Sequence, residues 1–231
     1  GFGALTKPLA RRAKQVVSLE IDRTLIPILN VALEKQSNVR VICGDVMRTD
    51  LALLVKECFG EDCSSLRIAA NLPYYITTDV LTKLMNELPR AQSIAVMIQK
   101  EVGDKLLSSP GEDGYGPLAV ICQYHYNVVR ALDVPAACFN PSPKVDSSFM
   151  VLERLETPYV DGGDEAVFTR LVRSAFAMRR KTLLNNLISG FALNREQAAS
   201  YLEAVGLSVQ ARAEELSLED FAKLSRQLQS L

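Results

Sequence analysis

The sequence predicts an α/β fold, an open and largely parallel sheet with helices on both faces, followed by a small all-helical C-terminal domain. Three observations predict it. Short β-rich runs alternate with stretches of helical spacing over roughly the first hundred residues. Two more β-rich runs then follow each other with no helix between them, which argues for an antiparallel pair closing one edge of the sheet. Past the Pro, Gly and Asp cluster of "ERLETPYVDGGDE", residues 164–231 read as helices only.

In chain order, "QVVSLEI" (15–21), "VRVIC" (39–43), "LRIAA" (66–70) and "SIAVMIQ" (93–99) are rich in β-branched and aliphatic residues and read as strands. Between them "TLIPILNVALEKQ", "DLALLVKECFG" and "TTDVLTKLMNEL" repeat apolar residues at helical spacing. Strand and helix in alternation make βαβ units. "YHYNVVRALDVP" and "KVDSSFMVLERL" form the antiparallel pair. The helical part is read in "EAVFTRLVRSAFA", "RKTLLNNLISG", "NREQAASYLEAVG" and "SLEDFAKLSRQLQ", with Asn194 and Ser217 as N-caps and Gly190 and Gly206 as helix stops. The domain division expected from this is 1–155 and 156–231.

Composition excludes several classes of function. A chain of 231 residues is long enough for a sizeable core, and no apolar run approaches the roughly 20 residues of a membrane helix. A soluble protein is expected. The five cysteines (Cys43, Cys58, Cys63, Cys122, Cys138) are odd in number, contain no CxxC and lie in apolar settings such as "VRVICGD" and "LAVICQYH". They read as reduced core residues, which places the protein in the cytoplasm. His125 is the only histidine and has no partners at metal-ligand spacing, so zinc chemistry and a Ser/His/Asp triad are both poorly supported and a strand-edge or core position is expected for it. The N-terminus lacks the succession of a secretory signal and opens inside a glycine-rich loop.

The candidate site is read from strand ends. In "GFGALT" Gly1 and Gly3 would let backbone approach a ligand, a weak signal alone. It gains force from the strand that follows, whose end carries Glu20, 17 residues after Gly3, near the acidic position that accepts ribose hydroxyls in nucleotide-binding βαβ units. "CGDV" then places Asp45 where a carboxylate would receive an exocyclic amino proton from adenine. Singly, Glu20 and Asp45 read as helix caps or solvated turns; in series they place ligand-type residues along the edge where open α/β sheets bind ligands. The next strand end is "NLPY". The amino nitrogen of adenine is a poor nucleophile because its lone pair is delocalised into the ring. With the Asn71 side-chain carbonyl and the Leu72 backbone carbonyl, set outward by Pro73, each accepting one N–H, that lone pair is left facing an electrophile, and Tyr74 offers a flat face for a base taken out of its stack. The tetrapeptide reads equally well as a simple turn after a strand.

Two loops and one charged window complete the inventory. Phe139 lies in "FNPSPKV", whose prolines would stiffen a loop presenting the ring, although a lone aromatic is more often core. "SSPGEDGYG" has three glycines and few apolar anchors, the composition of a mobile loop over a site or of a plain surface loop. From Phe168 to Gly190 there are five basic residues, Arg170, Arg173, Arg179, Arg180 and Lys181, and no acidic one, in a chain of net charge -1. The alternatives are a solvated helix face and a phosphate-contacting surface.

These motifs, in this order, resemble the ribosomal small-subunit RNA adenine N6,N6-dimethyltransferases, the KsgA family of S-adenosylmethionine-dependent enzymes with a Rossmann-like sheet. "GFGALT", "VVSLEID", "CGDV", "NLPYYITT", "EVGDKLLSSPGEDGYGPLAV", "CFNPSPKVDSSF" and "FAMRRKTLLNNL" carry the resemblance over almost the whole chain. The resemblance implies that Gly1 and Gly3 line the methionine end of the cofactor S-adenosyl-L-methionine, that Glu20 and Ile21 bind its ribose, and that Asp45 and Val46 hold its adenine. It implies that Asn71, Leu72, Pro73 and Tyr74 hold the target adenine, with Asn71 also facing the cofactor and Phe139 closing an aromatic clamp. It further implies dimethylation of two adjacent adenines in a hairpin near the 3' end of small-subunit RNA, within a pre-ribosomal subunit, by a monomer that uses neither metal nor covalent intermediate. The basic window would then contact RNA phosphates without reading sequence.

Members of the family carry, ahead of the position of Gly1, a strand ending in an acidic residue and a Gly-Pro of the cofactor loop. The expectation drawn from this is that the present polypeptide binds S-adenosylmethionine poorly and its longer parent well. Competing readings are a large-subunit RNA adenine methyltransferase of the macrolide-resistance type, a non-catalytic ribosome-assembly RNA-binding factor on the same scaffold, and an adenine-N6 DNA methyltransferase. "NLPYYITT" and "RRKTLLNNL" favour the small-subunit enzymes.

Overall fold

The computed structural model of the protein describes residues 1–61 and 63–229. Positions 62, 230 and 231 of the two expected domain ranges lie outside the described residues. The chain divides into two compact units, Gly1–Gln92 and Ser93–Leu231.

In the first unit, α1 (Thr6–Ala10), β1 (Val16–Glu20), α2 (Leu25–Ala32), β2 (Val39–Cys43), α3 (Leu51–Phe59), β3 (Arg67–Asn71) and α4 (Thr77–Glu87) alternate as expected. β1 and β2 pair in parallel from Val16 opposite Val39 to Glu20 opposite Cys43, so both carboxyl ends finish level. β3 is hydrogen-bonded to neither of them. The connections are fastened by side chains. Asn38 Nδ2 donates to the carbonyls of Ala10 (2.8 Å) and Ala13 (2.9 Å), tying the entry of β2 to the end of α1. Asp50 caps α3 by accepting the Leu53 N–H at 2.9 Å, and Glu87 at the end of α4 accepts the Leu51 N–H at 2.9 Å. α4 buries Val80, Leu81, Leu84 and Met85, one stripe of an amphipathic helix.

The second unit opens with β4 (Ser93–Gln99), α5 (Lys100–Leu107), α6 (Pro117–His125), β5 (Tyr126–Val134) and β6 (Ser147–Arg154). β6 pairs antiparallel with both β4 and β5, so the expected antiparallel pair is present. The helices α5 and α6 were not legible in the sequence. In α6, "PLAVICQYH", apolar residues occur all round, so no helical period shows, and only Pro117 at its first turn marks the start. The run expected as strand from Tyr124 therefore begins at Tyr126, and His125 ends α6 as a buried residue, 5% exposed.

Four helices follow: α7 (Glu165–Ala175), α8 (Leu183–Phe191), α9 (Arg195–Ala204) and α10 (Leu218–Leu228). Asn194 and Ser217 are N-caps, each in a capping box, with Gln197 and Asp220 respectively. Gly206 follows α9 with φ +76°, the left-handed stop that glycine suits. Gly190 departs from its expected role. It lies inside α8, where a Cβ would come within 2.4 Å of Ser174 Cβ and Oγ, so it is a close contact between α7 and α8; Ala192, φ 53°, ends that helix. One core spans these helices together with Tyr115 and with Ala119, Val120 and Tyr124 of α6; Tyr124 stacks on Phe168 at 3.8 Å between ring centroids. The expected division at 155/156 falls within this second unit.

The cysteines are free, as expected of reduced thiols, but only Cys122 is buried; Cys43 and Cys138 are exposed because they stand at a strand end and in a loop turn. Burial pushes the Cys122 thiol up to about 12. Among the described residues no helix is long and apolar enough to cross a membrane.

Candidate active site

Three turns at strand ends carry the expected first-unit residues. Gly3 precedes α1 with φ +79°, and a Cβ there would lie 3.3 Å from Leu29 Cδ2, so both backbone and packing call for glycine. Gly1 is exposed and its amino group contacts Glu20. Glu20 ends β1 and also accepts the Asp22 N–H at 3.0 Å. Burial works against the charged carboxylate, while the Asp22 and Ile21 N–H groups favour it. Glu20 is thus an ionised acceptor with lone pairs to spare. The neighbouring Ile21 is 65% exposed.

The turn after β2 is joined to this one by backbone: the Gly44 N–H donates to the Glu20 carbonyl at 2.9 Å. Asp45 follows. Its Oδ1 accepts the Met47 N–H at 2.8 Å, and its carbonyl accepts the Thr49 hydroxyl at 2.8 Å, so it shapes the turn in which Val46 sits half-buried. The pair to Arg48, 3.7 Å with an arginine side chain 90% exposed, adds little.

Asn71 is the last residue of β3 and is exposed; its amide has no hydrogen-bond partner among the described residues. Leu72 beside it is buried, 7% exposed. Pro73 takes φ -59° and ψ 133°, an extended corner leading into a 3₁₀ turn, Tyr74–Ile76. Its carbonyl accepts the Ile76 N–H at 3.2 Å and the hydroxyl of buried Thr77 at 3.1 Å. The corner is therefore gripped from below by Leu72 and Thr77, while the Asn71 amide reaches solvent and Tyr74 is half-buried. Thr77 was not foreseen; its only trace in the sequence is a hydroxyl four residues past a proline.

Phe139 belongs to the second unit. It is half-buried and follows a 3₁₀ turn, Ala136–Cys138. Asp146 Oδ1 accepts the Ala136 N–H at 2.9 Å and Ser142 Oγ donates to the Ala136 carbonyl at 2.9 Å, so the loop presenting Phe139 is cross-braced. The "SSPGEDGYG" segment is anchored more firmly than its composition indicated: Tyr115 is buried and its hydroxyl donates to the Leu216 carbonyl at 2.9 Å, and the Gly111 N–H donates to the Glu214 carbonyl at 2.7 Å.

The basic window divides in two. Arg170 donates to the Gly190 carbonyl at 3.2 and 2.9 Å and lies over the Phe191 ring at 4.5 Å, so it closes the α7–α8 contact. Arg173 is exposed on α7, while Arg179, Arg180 and Lys181 stand exposed in the α7–α8 connection. Chemically, the first unit offers an ionised ribose-type acceptor, a second carboxylate turn and an outward amide beside a proline corner; the second offers a braced aromatic and a cation-rich loop.

Comparison with known proteins gives these features a context. Residues 1–230 match the family model described as ribosomal RNA adenine dimethylase. Proteins named ribosomal RNA small subunit methyltransferase A are similar to the chain: that of Bacillus mycoides is 45% identical over 99% of this chain and 79% of its own length. That of Bacillus cereus (strain B4264) is 44% identical over the same shares. Among solved structures, a dimethyladenosine transferase from Plasmodium falciparum superposes with a TM-score of 0.80 at 24% identity, covering 100% of this chain and 87% of that one. The 23S rRNA methyltransferase ErmE superposes at 0.69, also with 24% identity, covering 99% and 88%. These two show the fold, a Rossmann-like mixed sheet with a helical C-terminal region.

Proposed function

From the premise that the chain belongs to the ribosomal RNA adenine dimethylase family, we propose that it dimethylates the N6 of two adjacent adenines near the 3' end of small-subunit ribosomal RNA. The observation that carries this reading is the corner at the end of β3, an exposed Asn71 amide with no partner among the described residues, on a backbone fixed by buried Leu72 and the Thr77 hydroxyl. The substrate is the RNA of a pre-ribosomal small subunit, met in the cytoplasm by a monomeric enzyme.

The residues present fit S-adenosyl-L-methionine as cofactor: the Glu20 carboxylate accepts the Asp22 N–H and keeps lone pairs for ribose hydroxyls, and Gly3, at φ +79°, presents backbone with no side chain at that position. Gly1 and Gly3 would hold its methionine end, Glu20 with Ile21 its ribose, Asp45 with Val46 its adenine. The cofactor supplies an electrophilic methyl on a sulfonium. The protein's own part is positioning. The Asn71 and Leu72 carbonyls accept hydrogen bonds from the two N6 N–H groups of the target base, localising the nitrogen lone pair and stabilising the positive charge that develops on it. Pro73 keeps both carbonyls turned outward, and Tyr74 supports the flipped base on one face. Each transfer leaves a positively charged N6 whose extra proton passes to solvent, and in the second round the acceptor pair can still take a hydrogen bond from the one N–H that remains. The helices beyond residue 156 form the RNA-binding part, with Arg173, Arg179, Arg180 and Lys181 on phosphates and Arg170 bracing the helices behind them.

The test is mass spectrometry of unmethylated small subunits after incubation with the protein and S-adenosylmethionine, beside protein-free large-subunit RNA. Dimethyladenosine at two neighbouring positions of the small-subunit RNA is expected, and Asn71→Ala should abolish it while sparing subunit binding. Product only on the large-subunit RNA would overturn the reading in favour of the macrolide-resistance type. No methyl transfer, with binding of both the subunit and S-adenosylmethionine intact, would favour the assembly-factor alternative.

A further inference from the structure

The connection between α7 and α8 is organised by one buried amide. Asn186, in the first turn of α8, is 2% exposed. Its Nδ2 donates to the carbonyls of Ala175 (2.6 Å) and Met178 (3.4 Å), and its Oδ1 accepts the Met178 N–H at 3.1 Å. None of this serves α8 itself. Its cap is Thr182, which accepts from Asn185, and the Leu183 N–H donates to the Ala211 carbonyl at 2.8 Å. The Asn186 side chain therefore binds the last carbonyl of α7 and both backbone groups of Met178. A buried amide is costly unless its bonds are made, and here all of them go to fixing a loop.

What that loop carries gives the arrangement its meaning. Arg179, Arg180 and Lys181 follow Met178 directly, all exposed, with no side-chain partner among the described residues. The Lys181 N–H returns to the Met178 carbonyl at 2.9 Å, closing the turn on the residue that Asn186 holds. Three adjacent like charges on free backbone would spread apart; on a pinned turn their spacing is set before a ligand arrives. Preorganised guanidinium groups bind phosphate with less ordering cost.

We propose that Asn186 is a positioning residue for RNA binding, holding the Met178 backbone so that Arg179, Arg180 and Lys181 meet neighbouring phosphates of structured RNA as a fixed trio. This rests on the reading of the basic window as a phosphate-contacting surface. Asn186 touches no RNA itself.

The experiment compares the full chain with Asn186→Ala, Asn186→Asp, the double change Arg179→Ala with Arg180→Ala, and the combination of the last with Asn186→Ala. Binding to a small-subunit RNA fragment is measured across a salt series, beside thermal melting and the rate of trypsin cleavage after residues 179–181. The Arg pair should weaken binding and lower the salt slope by about 1 for each phosphate that is no longer neutralised. Asn186→Ala should weaken binding roughly tenfold and speed trypsin cleavage, yet cost nothing further once both arginines are gone. If Asn186→Ala does not fold, Asn186→Asp, which keeps the acceptor for Met178 N–H and loses both donations, should show the same pattern. Weakening by the arginine changes with full affinity in the Asn186 variants would overturn the positioning role and leave the phosphate reading standing. Normal binding by the arginine variant would remove the phosphate reading and this inference with it. Losses that simply add would reduce Asn186 to a structural residue.

Discussion

The strands that carry the proposed site and two strands of the second unit, β4 and β6, are packed differently. Every residue of β1 is partly exposed, β2 and β3 hold no buried residue, whereas β4 and β6 alternate, with Ile94, Val96, Ile98, Met150 and Leu152 at 0% exposure. α7 to α10 go further, with Phe168, Leu171, Leu187 and Phe221 sealed from solvent. Around the proposed catalytic corner the bonds are short-range, from Thr77 to Pro73, from Asp22 to Glu20 and from Met47 to Asp45, while the sealed side chains of β4, β6 and α7 to α10 lie in the second unit. Function and stability should therefore respond to different substitutions.

The largest effect expected is from Phe168→Ala, which removes a fully buried ring stacked on Tyr124 and should cost about 3–5 kcal/mol in urea unfolding. A cost no greater than that of a β1 truncation would break the comparison. Gly190→Ala comes next and sets two effects against each other: alanine gains about 1 kcal/mol of helix propensity, but its Cβ would meet Ser174 at 2.4 Å, an overpacking of about 1–3 kcal/mol. A net loss of up to about 2 kcal/mol is expected, and a gain would mean that α7 and α8 separate freely. Val17→Ala in half-exposed β1 should cost about 1 kcal/mol or less.

The smallest effect is a pH dependence at Glu20. Because the folded-state carboxyl lies below its ordinary value of 4.5, its contribution is present above that pH and is lost as pH falls through the lower folded value. Wild type and Glu20→Gln should differ by less than about 1 kcal/mol near pH 6 and converge once the pH lies below the folded-state value. A difference that persists in acid would show that the substitution acts through packing and not through charge.

Much of this architecture was legible because local pattern and final structure agree. "VRVIC" and "SIAVMIQ" coincide with β2 and β4, since short aliphatic runs bounded by polar residues have few alternatives. The capping residues Asn194 and Ser217 were readable because a cap is a local bond. "LRIAA" missed by one residue, and the difference matters: β3 runs to Asn71, so the amide belongs to the strand end itself and not to the turn after it. What escaped depends on contacts distant in sequence. α6 carries apolar residues on several faces because Ala119, Val120 and Tyr124 join the core of the following helices, Gly190 is a glycine for the sake of Ser174, and Arg170 is drawn to a carbonyl 20 residues away. Nothing in the period or composition of those segments reports their partners.

The anchoring of Tyr115 has a consequence for how the protein opens. Its hydroxyl bond to Leu216 joins positions 101 residues apart, and Gly111 is bonded to Glu214 beside it. The glycine-rich midsection of the chain is thereby hemmed to the turn before α10. Its amides should exchange with solvent in step with the C-terminal helices, as members of one cooperative unit, and not with the strands that flank it in sequence.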